Sequence, residues 1–401
     1  MNSVPVPFKV SAQRYYYYTN LFDLCQIKLQ NTNQLIMFSQ IQKLLSFSDV
    51  KIDLKNNAFD FVRLVAALFV VFGHSGYLYG SKDFLWEAKY FDNLHSGTLA
   101  VWTFFGISGY LVTASWLRSD GIIDFVVKRY KRIFPGFWTS ILVCGLFFVP
   151  LWYFIRNGNL NNFWTINGLD LWKFLSSNLD SEIKVNSVGK VAIDGINGPW
   201  WTIHHELRAY IALGVLGFLG FLKEKNKWVI LSIAIFMHLV RISYSFNLDF
   251  AKTYDLWFGD ERILLYLSIF FWGSTMQLFK DKIKINYITF VLAIFAMIFG
   301  TIYDFLPVVF PFAFAYIVIS LSFIIPIKNI SKKIGDLSYG IYLYHWPVRL
   351  TLQMLGVQAM GMWWLISLDL ICTIPLALIS WNFVEKRFLA RHKALEKPLN
   401  L

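Results

Sequence analysis

Residues 60–76 read DFVRLVAALFVVFGHSG, an apolar run that contains one arginine, Arg63, and one histidine, His74. The run is long and apolar enough to predict a transmembrane helix. In such a helix these two residues, eleven positions apart, lie within about 20° of each other around the axis and roughly 16 Å apart along it. One face of a membrane helix therefore carries a cation near one surface and a titratable base about half a bilayer away.

The whole chain has the composition of a protein embedded in a membrane. Of its 401 residues, 56% are hydrophobic and only 15% are charged, whereas soluble domains carry about 25% charged residues. Apolar runs recur along the chain, and membrane β-strands are about half as long as these runs. We therefore predict an all-α polytopic membrane protein, a bundle of about ten transmembrane helices. The candidate spans are residues 59–79, 99–117, 137–155, 204–222, 227–246, 262–279, 287–305, 308–326, 338–357 and 362–384.

Lysines and arginines are concentrated in alternate loops, which accounts for the formal net charge of +12 without nucleic-acid binding. By the positive-inside rule these loops and both termini lie in the cytoplasm. We predict a cytoplasmic N-terminal extension at 1–55, a membrane domain at 56–390 and a cytoplasmic tail at 391–401. The longest external connection, 156–203, is rich in Asn, Gly and Trp, a composition that suits either contact with sugars or a plain loop.

Ionisable residues inside the spans are candidates for function, because each costs several kcal/mol in lipid. Small neighbours flank His74 and would let another backbone or a ligand approach it closely. Ser108 interrupts the second span, and His345 and Tyr342 lie in the ninth. The alternative interpretations are that Arg63 snorkels to the interface, that Ser108 belongs to a helix contact and that both histidines are structural.

The turn into the fourth span reads NGPWWTIHHELRAY at 197–210. Glu206 could orient or protonate a histidine or bind a hydroxyl, or it could be a carboxylate favoured by the helix dipole. His204, His205 and Glu206 lack the i, i+4 spacing of helical zinc ligands, so we predict no metal site.

A basic segment precedes the third span and contains Lys128, Arg129, Lys131 and Arg132. It is either an orientation signal that contacts anionic lipid or a phosphate-binding patch for an anionic cytoplasmic cosubstrate.

These segments, taken in order along residues 59–390, resemble the membrane-bound acyltransferase 3 family, which includes bacterial O-acetyltransferases of surface polysaccharides. The segments that carry the resemblance are Arg63-x10-His74, FFGISGYLV at 104–112, KRYKRIFPGFW at 128–138, WWTIHHELRAY at 200–210, SYGIYLYHWP at 338–347 and FVEKRF at 383–388. His204 and His205 are not part of the family's pattern, and Arg387 stands where the family usually has Pro.

The resemblance implies transfer of an acyl group, most often acetyl, from acyl-CoA to a hydroxyl of a polysaccharide or glycolipid at a bacterial plasma membrane. Acyl-CoA is the donor substrate, and we expect no bound cofactor. A neutral histidine suits the role of general base, and we assign it to His74. The other expected roles are catalysis for Arg63 and Glu206, acyl-CoA binding for Arg63, Arg129 and Arg132, and substrate binding for Ser108, Trp201, Thr202, Tyr342 and His345.

A second hypothesis is a transporter or flippase of lipid-linked glycans, in which the same residues would relay protons and contact the substrate. The two halves of the sequence show no inverted repeat, which disfavours transport. Labelled acetyl-CoA distinguishes the hypotheses, since only the enzyme would move the label into polysaccharide.

Overall fold

The computed structural model describes residues 49–78, 96–165, 172, 175, 196–246 and 261–389. Most of the predicted N-terminal extension, the predicted tail at 391–401 and most of the connection at 156–203 lie outside the described residues. Within the described residues every regular element is helical, in agreement with the predicted all-α fold.

Twelve α-helices are described, and each of the ten predicted spans corresponds to one of the longer helices or to a continuous series of helical segments. They are α1 (Phe59–Leu78), α2 (Ser96–Trp116), α3 (Ile122–Val143), α4 (Val149–Asn157), α5 (Trp201–Phe218), α6 (Trp228–Ser245), α7 (Glu261–Leu278), α8 (Tyr287–Ile302), α9 (Leu306–Ile324), α10 (Ser331–Ile334), α11 (Leu337–Met354) and α12 (Met362–Ser380). Two π-helical segments, Cys144–Phe148 and Trp381–Glu385, join α3 to α4 and extend α12.

In the described part of the chain, five helical segments are long and apolar enough, by length and composition, to cross a membrane. These segments are Ser96–Trp116, Ile122–Asn157, Glu224–Ser245, Leu306–Ile324 and Met362–Leu389.

The third predicted span begins earlier than expected. We predicted residues 137–155, but the helix starts at Ile122 and continues to Asn157, a run of 36 residues. At 1.5 Å per residue this helix is about 54 Å long, well beyond the ~30 Å hydrocarbon core. The basic segment that we interpreted as a loop is therefore the first part of a helix that extends past the apolar layer.

The second and seventh helices approach each other closely through glycine. A Cβ atom placed on Gly109 would lie 1.9 Å from the carbonyl oxygen of Phe270, and one on Gly273 would lie 2.4 Å from the carbonyl oxygen of Gly106. Small residues allow this distance between backbones in membrane helices. The contact fixes α2 against α7 and so fixes the position of Ser108, the neighbour of Gly109.

Helix α11 continues through Pro347 instead of ending there. Proline has no N–H, so the carbonyl of Leu343, four residues earlier, loses its helical partner. The side-chain amide of Asn197 donates to that carbonyl at 2.7 Å. Asn197 therefore stabilises the part of α11 that carries His345.

Candidate active site

His74 of α1 and His345 of α11, which belong to different predicted spans, form a pair. The Nδ1 atom of His74 lies 2.9 Å from Nε2 of His345. The rings are nearly parallel, with an interplanar angle of 3° and centroids 5.1 Å apart. His345 is fully buried, and His74 is partly exposed.

Arg349 lies one turn beyond His345 on α11 and contacts the pair. Its guanidinium donates to the backbone carbonyl of His74 and lies 4.2 Å from the centroid of the Trp346 ring. The same tryptophan meets the His74 ring edge-on, with centroids 5.0 Å apart. We did not single out Arg349 in the sequence, where it lies in the outer half of a predicted span.

A second cluster joins α2 to α5. The hydroxyl of Ser108 donates to Oε1 of Glu206 at 3.1 Å, and the hydroxyl of Tyr210 donates to the same oxygen. Glu206 is thus engaged by two hydroxyl groups rather than free at a helix terminus, which favours the interpretation that it positions hydroxyl groups.

A buried carboxylate lies among the cations at one end of the bundle, which we call the basic end. Asp336, just before α11, accepts from Arg132 at 2.5 Å and from Arg63 at 3.2 Å. Burial raises the pKa of this carboxyl group, but Arg132, Arg63 and the hydroxyl of Ser338 outweigh burial and hold the pKa well below its usual range. The sequence does not distinguish Asp336 from an ordinary residue at the start of a helix.

A cavity of about 1110 Å³ opens at the basic end. Ser108, Glu206 and Tyr210 form part of its wall, and so does the side chain of Tyr339. Most of its charged lining is cationic. These cations are Arg63, Arg118, Lys128, Arg129, Lys131, Arg132, Lys332 and Lys386.

A smaller cavity of about 50 Å³ adjoins the large one and shares Arg63, Ser108 and Glu206 with it. That volume accommodates a few water molecules. Tyr342 lines the small cavity, and its ring lies 6.3 Å from that of His345, centroid to centroid. Neither cavity has His74 or His345 in its described lining, so the polar space stops about one aromatic ring short of the histidine pair.

The other predicted site residues divide between the cavity wall and the outer surface of the bundle. Thr202 bonds to the hydroxyl of Tyr342, and both residues line the small cavity. Trp201 is 38% exposed and lies beside Arg262, whose guanidinium is 5.2 Å from the indole centroid. No group of three or more side chains suited to a metal ion occurs in the described part of the chain.

Comparison with known proteins identifies the family. A family model described as an acyltransferase domain matches residues 56–389. The chain belongs to this acyltransferase family. The O-acetyl transferase of Shigella phage Sf6 is 32% identical over 359 residues, which cover 84% of this chain and 97% of the phage protein. Nodulation protein 10 of Rhizobium leguminosarum bv. viciae is 29% identical over 352 residues, or 82% of this chain and 92% of its own. No solved structure matches the chain.

Membership of the acyltransferase family confirms the predicted class of enzyme, an O-acetyltransferase in a membrane. Most of the residues that the sequence indicated lie in two neighbouring places, the basic cavity at one end of the bundle and the histidine pair beyond it. The sequence did not indicate Tyr210, Asp336 or Arg349, although the first and last of these carry polar groups within predicted spans, which is the signal that could have found them.

Proposed function

We propose that this acyltransferase moves an acetyl group from cytoplasmic acetyl-CoA to a hydroxyl group of an exported or surface polysaccharide or glycolipid. The observation that carries the proposal is the arrangement of the polar interior. A basic cavity large enough for a nucleotide continues, past Arg63, Ser108 and Glu206, to the ring of Tyr342, which separates it from the His74–His345 pair.

The charge of the large cavity supports an acyl-CoA donor. Eight cationic side chains line it, against the two carboxylates Asp120 and Glu206. A CoA thioester carries several phosphate charges, and phosphate groups are bound by clusters of arginine and lysine. We place the donor's phosphates beside Lys131, Arg129 and Arg132, with its pantetheine arm directed towards Ser108.

The position of the cavity supports a cytoplasmic donor. The cavity opens at the end of the bundle where the positively charged loops are concentrated, and the positive-inside rule assigns that end to the cytoplasm. Arg63, in the second turn of α1, and Lys386 and Leu389, near the end of the described chain, line this cavity. We therefore propose a plasma-membrane protein of a bacterium with cytoplasmic termini.

The acyl transfer itself needs one base. His74 takes the proton of the acceptor hydroxyl as the oxygen forms a bond to the thioester carbonyl carbon. The carbon–sulfur bond then breaks, and the proton passes to the CoA thiolate, so atoms and charge balance without another reactant. Glu206, through its two hydroxyl partners, positions groups on the donor side of this reaction.

Tyr342 stands between the cavity and the histidine pair. The thioester can reach His74 only if the Tyr342 ring moves aside. The acceptor hydroxyl could reach His74 from the opposite side. We propose that Tyr342 moves when the donor arm enters. This motion would break the hydrogen bonds of its hydroxyl to Thr202 and to the carbonyl of Pro199.

The relatives support the acyl group and the acceptor class to different degrees. The phage protein is named an O-acetyl transferase, which favours acetyl as the transferred group. The rhizobial protein is named only as a nodulation protein, so it does not specify the acceptor. The glycan acceptor rests on the family resemblance and on the Trp- and Asn-rich connection.

The test is transfer of radiolabelled acetyl-CoA in membranes that contain the wild-type chain, His74→Gln or His238→Gln. His238 is a matched control because it is also a hydrogen-bonded histidine in an apolar helix, but it lies on α6 and contacts Pro307 and Trp272. We expect label in glycan with wild type and with the control, and none with His74→Gln. Unlabelled glycan in all three, with export of the glycan lost when the gene is deleted, would support a transporter instead.

A further inference from the structure

The contacts of the His74–His345 pair indicate which ring nitrogens carry hydrogen. Membership of the family does not give this information. In His345 the Nδ1 atom lies 3.1 Å from the carbonyl oxygen of Ile341 and 3.0 Å from that of Tyr342. A carbonyl oxygen only accepts hydrogen bonds, so Nδ1 must carry the hydrogen. The Nε2 atom of a neutral His345 is then an acceptor.

His345 has reason to stay neutral. Its side chain is fully buried, and an imidazolium there would lose its hydration without a carboxylate beside it. Among the described residues, Arg349 on the same helix is the charged group that acts on His345, and Arg349 in turn interacts with Asp369 on α12. Neither forms an ion pair with His345 within 4 Å. Arg349 instead donates to the backbone of His74.

The partner atom follows from this assignment. Since Nε2 of His345 accepts, Nδ1 of His74, 2.9 Å away, must donate. A neutral His74 then has its lone pair on Nε2, the nitrogen on the far side of the ring.

We infer that His345 is a positioning residue, which fixes the tautomer of His74 so that Nε2 of His74 is the basic nitrogen. During transfer, Nε2 of His345 accepts a hydrogen bond from Nδ1–H of the His74 imidazolium. This inference rests on the proposed function, in which His74 is the base. It assigns to His345 a role that acts through His74 and not direct contact with substrate. In the reaction, the acceptor O–H proton moves to Nε2 of His74, the Nδ1–H···Nε2 bond to His345 shortens in the charged state, and the proton leaves from Nε2 to the thiolate.

Two amide substitutions at one position separate this role from a structural one. In His345→Gln the side-chain oxygen can reach the place of the imidazole Nε2 and accept from His74. In His345→Asn the shorter side chain can still bond to the carbonyls of Ile341 or Tyr342, but it cannot reach His74. Both variants are polar and similar in volume, so general damage to the core should affect them alike.

The measurements are kcat, KM for acetyl-CoA and the pH–rate profile of purified full-length protein. Loss of the acceptor removes a hydrogen bond that favours charged His74, so the acidic limb of the profile should move to lower pH in His345→Asn. We expect kcat to fall by about 10²-fold, KM to change by less than about threefold, and His345→Gln to regain at least about tenfold of the lost rate. His238→Gln should leave the limb in place.

Three results would overturn the inference while leaving the proposed function intact. They are an unchanged kcat in His345→Asn, a lower kcat with an unshifted acidic limb, and equal losses in the Asn and Gln variants. If no form of the enzyme, wild type included, transfers label, the proposed function fails instead.

A measurement on the wild-type protein keeps the inference testable if neither variant folds. Nitrogen-15 NMR of histidine-labelled protein, with the His74 signals assigned by their loss in His74→Gln, should show Nδ1 of His74 protonated and Nε2 unprotonated above the acidic limb. The opposite tautomer would contradict the assignment.

Discussion

Arg132 and Asp336 meet at 2.5 Å between Nη2 and Oδ2, and Arg63 reaches the same carboxylate oxygen at 3.2 Å. This contact joins three separate segments, α1, α3 and the start of α11, at the wall of the basic cavity. Asp336 therefore contacts two arginines of like charge directly, and the buried carboxyl group of Glu385 also interacts with both. The position of the site depends on this carboxylate as well as on helix packing.

Asp336→Asn should destabilise the folded protein strongly. Removal of one partner of a buried ion pair leaves an uncompensated charge and costs about 3–5 kcal/mol, and here two guanidinium groups lose their partner. Asp281→Asn is the matched control, because Asp281 is an exposed aspartate near the same end of the bundle. Thermal unfolding in detergent should show a large drop in Tm for the first variant and none for the second. Equal Tm values for the two variants would contradict the prediction.

The contribution of Asp336 should not depend on pH in the neutral range. Its folded-state pKa is held below the ordinary value, mainly by Arg132 and Arg63 against the opposing effect of burial. A carboxyl group with a lowered pKa stabilises the fold fully above its unfolded pKa, about 3.9, and loses that effect as pH falls through the folded value. The difference in Tm between wild type and Asp336→Asn should stay constant from about pH 5 to 8 and shrink only in strong acid. The prediction is contradicted if this Tm difference already shrinks between pH 7 and 5 while the difference between wild type and Asp281→Asn stays unchanged.

Gly109→Ala should disrupt the contact between α2 and α7. Its methyl group would lie 1.9 Å from a backbone oxygen of α7, which no side-chain rotation can relieve. Overpacking usually costs about 1–3 kcal/mol, and we expect the upper end or more here. Gly106→Ala on the same helix is the control, since its nearest new neighbour would be at 3.5 Å. Expression and Tm should fall only for the first variant, and a well-folded Gly109→Ala would show that the helices lie further apart.

Glu206→Gln should lower the rate without unfolding the protein. The amide keeps the shape of the side chain and one accepting oxygen for the hydroxyls of Ser108 and Tyr210, but it removes the negative charge that strengthens both hydrogen bonds. We expect kcat/KM to fall about 10²-fold. Glu224→Gln, at a carboxylate that is 84% exposed and paired with Lys227, should have wild-type activity. A fully active Glu206→Gln would remove Glu206 from the proposed site.

Lys131→Gln should weaken binding of the donor. Lys131 lines the large cavity, and the loss of one phosphate contact should raise KM for acetyl-CoA about three- to tenfold with little change in kcat. Lys280→Gln, which removes an exposed lysine outside that cavity, is the control. The KM of the wild type should also rise with salt concentration, because screening weakens contacts between charges. A KM unaffected by both the substitution and salt would place the donor elsewhere.

The elements of this fold could be predicted from the sequence because a membrane crossing demands an apolar run of fixed length, and each run is local. The start of α3 could not be predicted in this way, because its first turns mix charged and apolar residues, as in an interfacial or soluble helix. Hydropathy windows detect the apolar part of such a helix and not its amphipathic extension.

The candidate site could be predicted only in part for a related reason. Arg63, His74, Ser108, Glu206 and His345 stand out because polar groups are rare in membrane helices. Which of them meet is decided by the relative rotation and depth of distant helices, and no local pattern encodes it. The pairing of α1 with α11 through His74 and His345, and the role of Asp336 between two arginines, are properties of the assembled bundle.

The glycine seam between Gly109 and Phe270 limits how this enzyme can work. Because the backbones of α2 and α7 are in direct contact, we expect these two helices to move little relative to each other. Ser108, next to Gly109, then keeps its position. If the donor arm enters as we propose, we expect the motions that admit it and release CoA to come from the other walls, α5 with Glu206 and α11 with Tyr342. In such a cycle the α2 wall and Ser108 stay in place, and the movement of the other two walls opens and closes the path to the imidazole of His74.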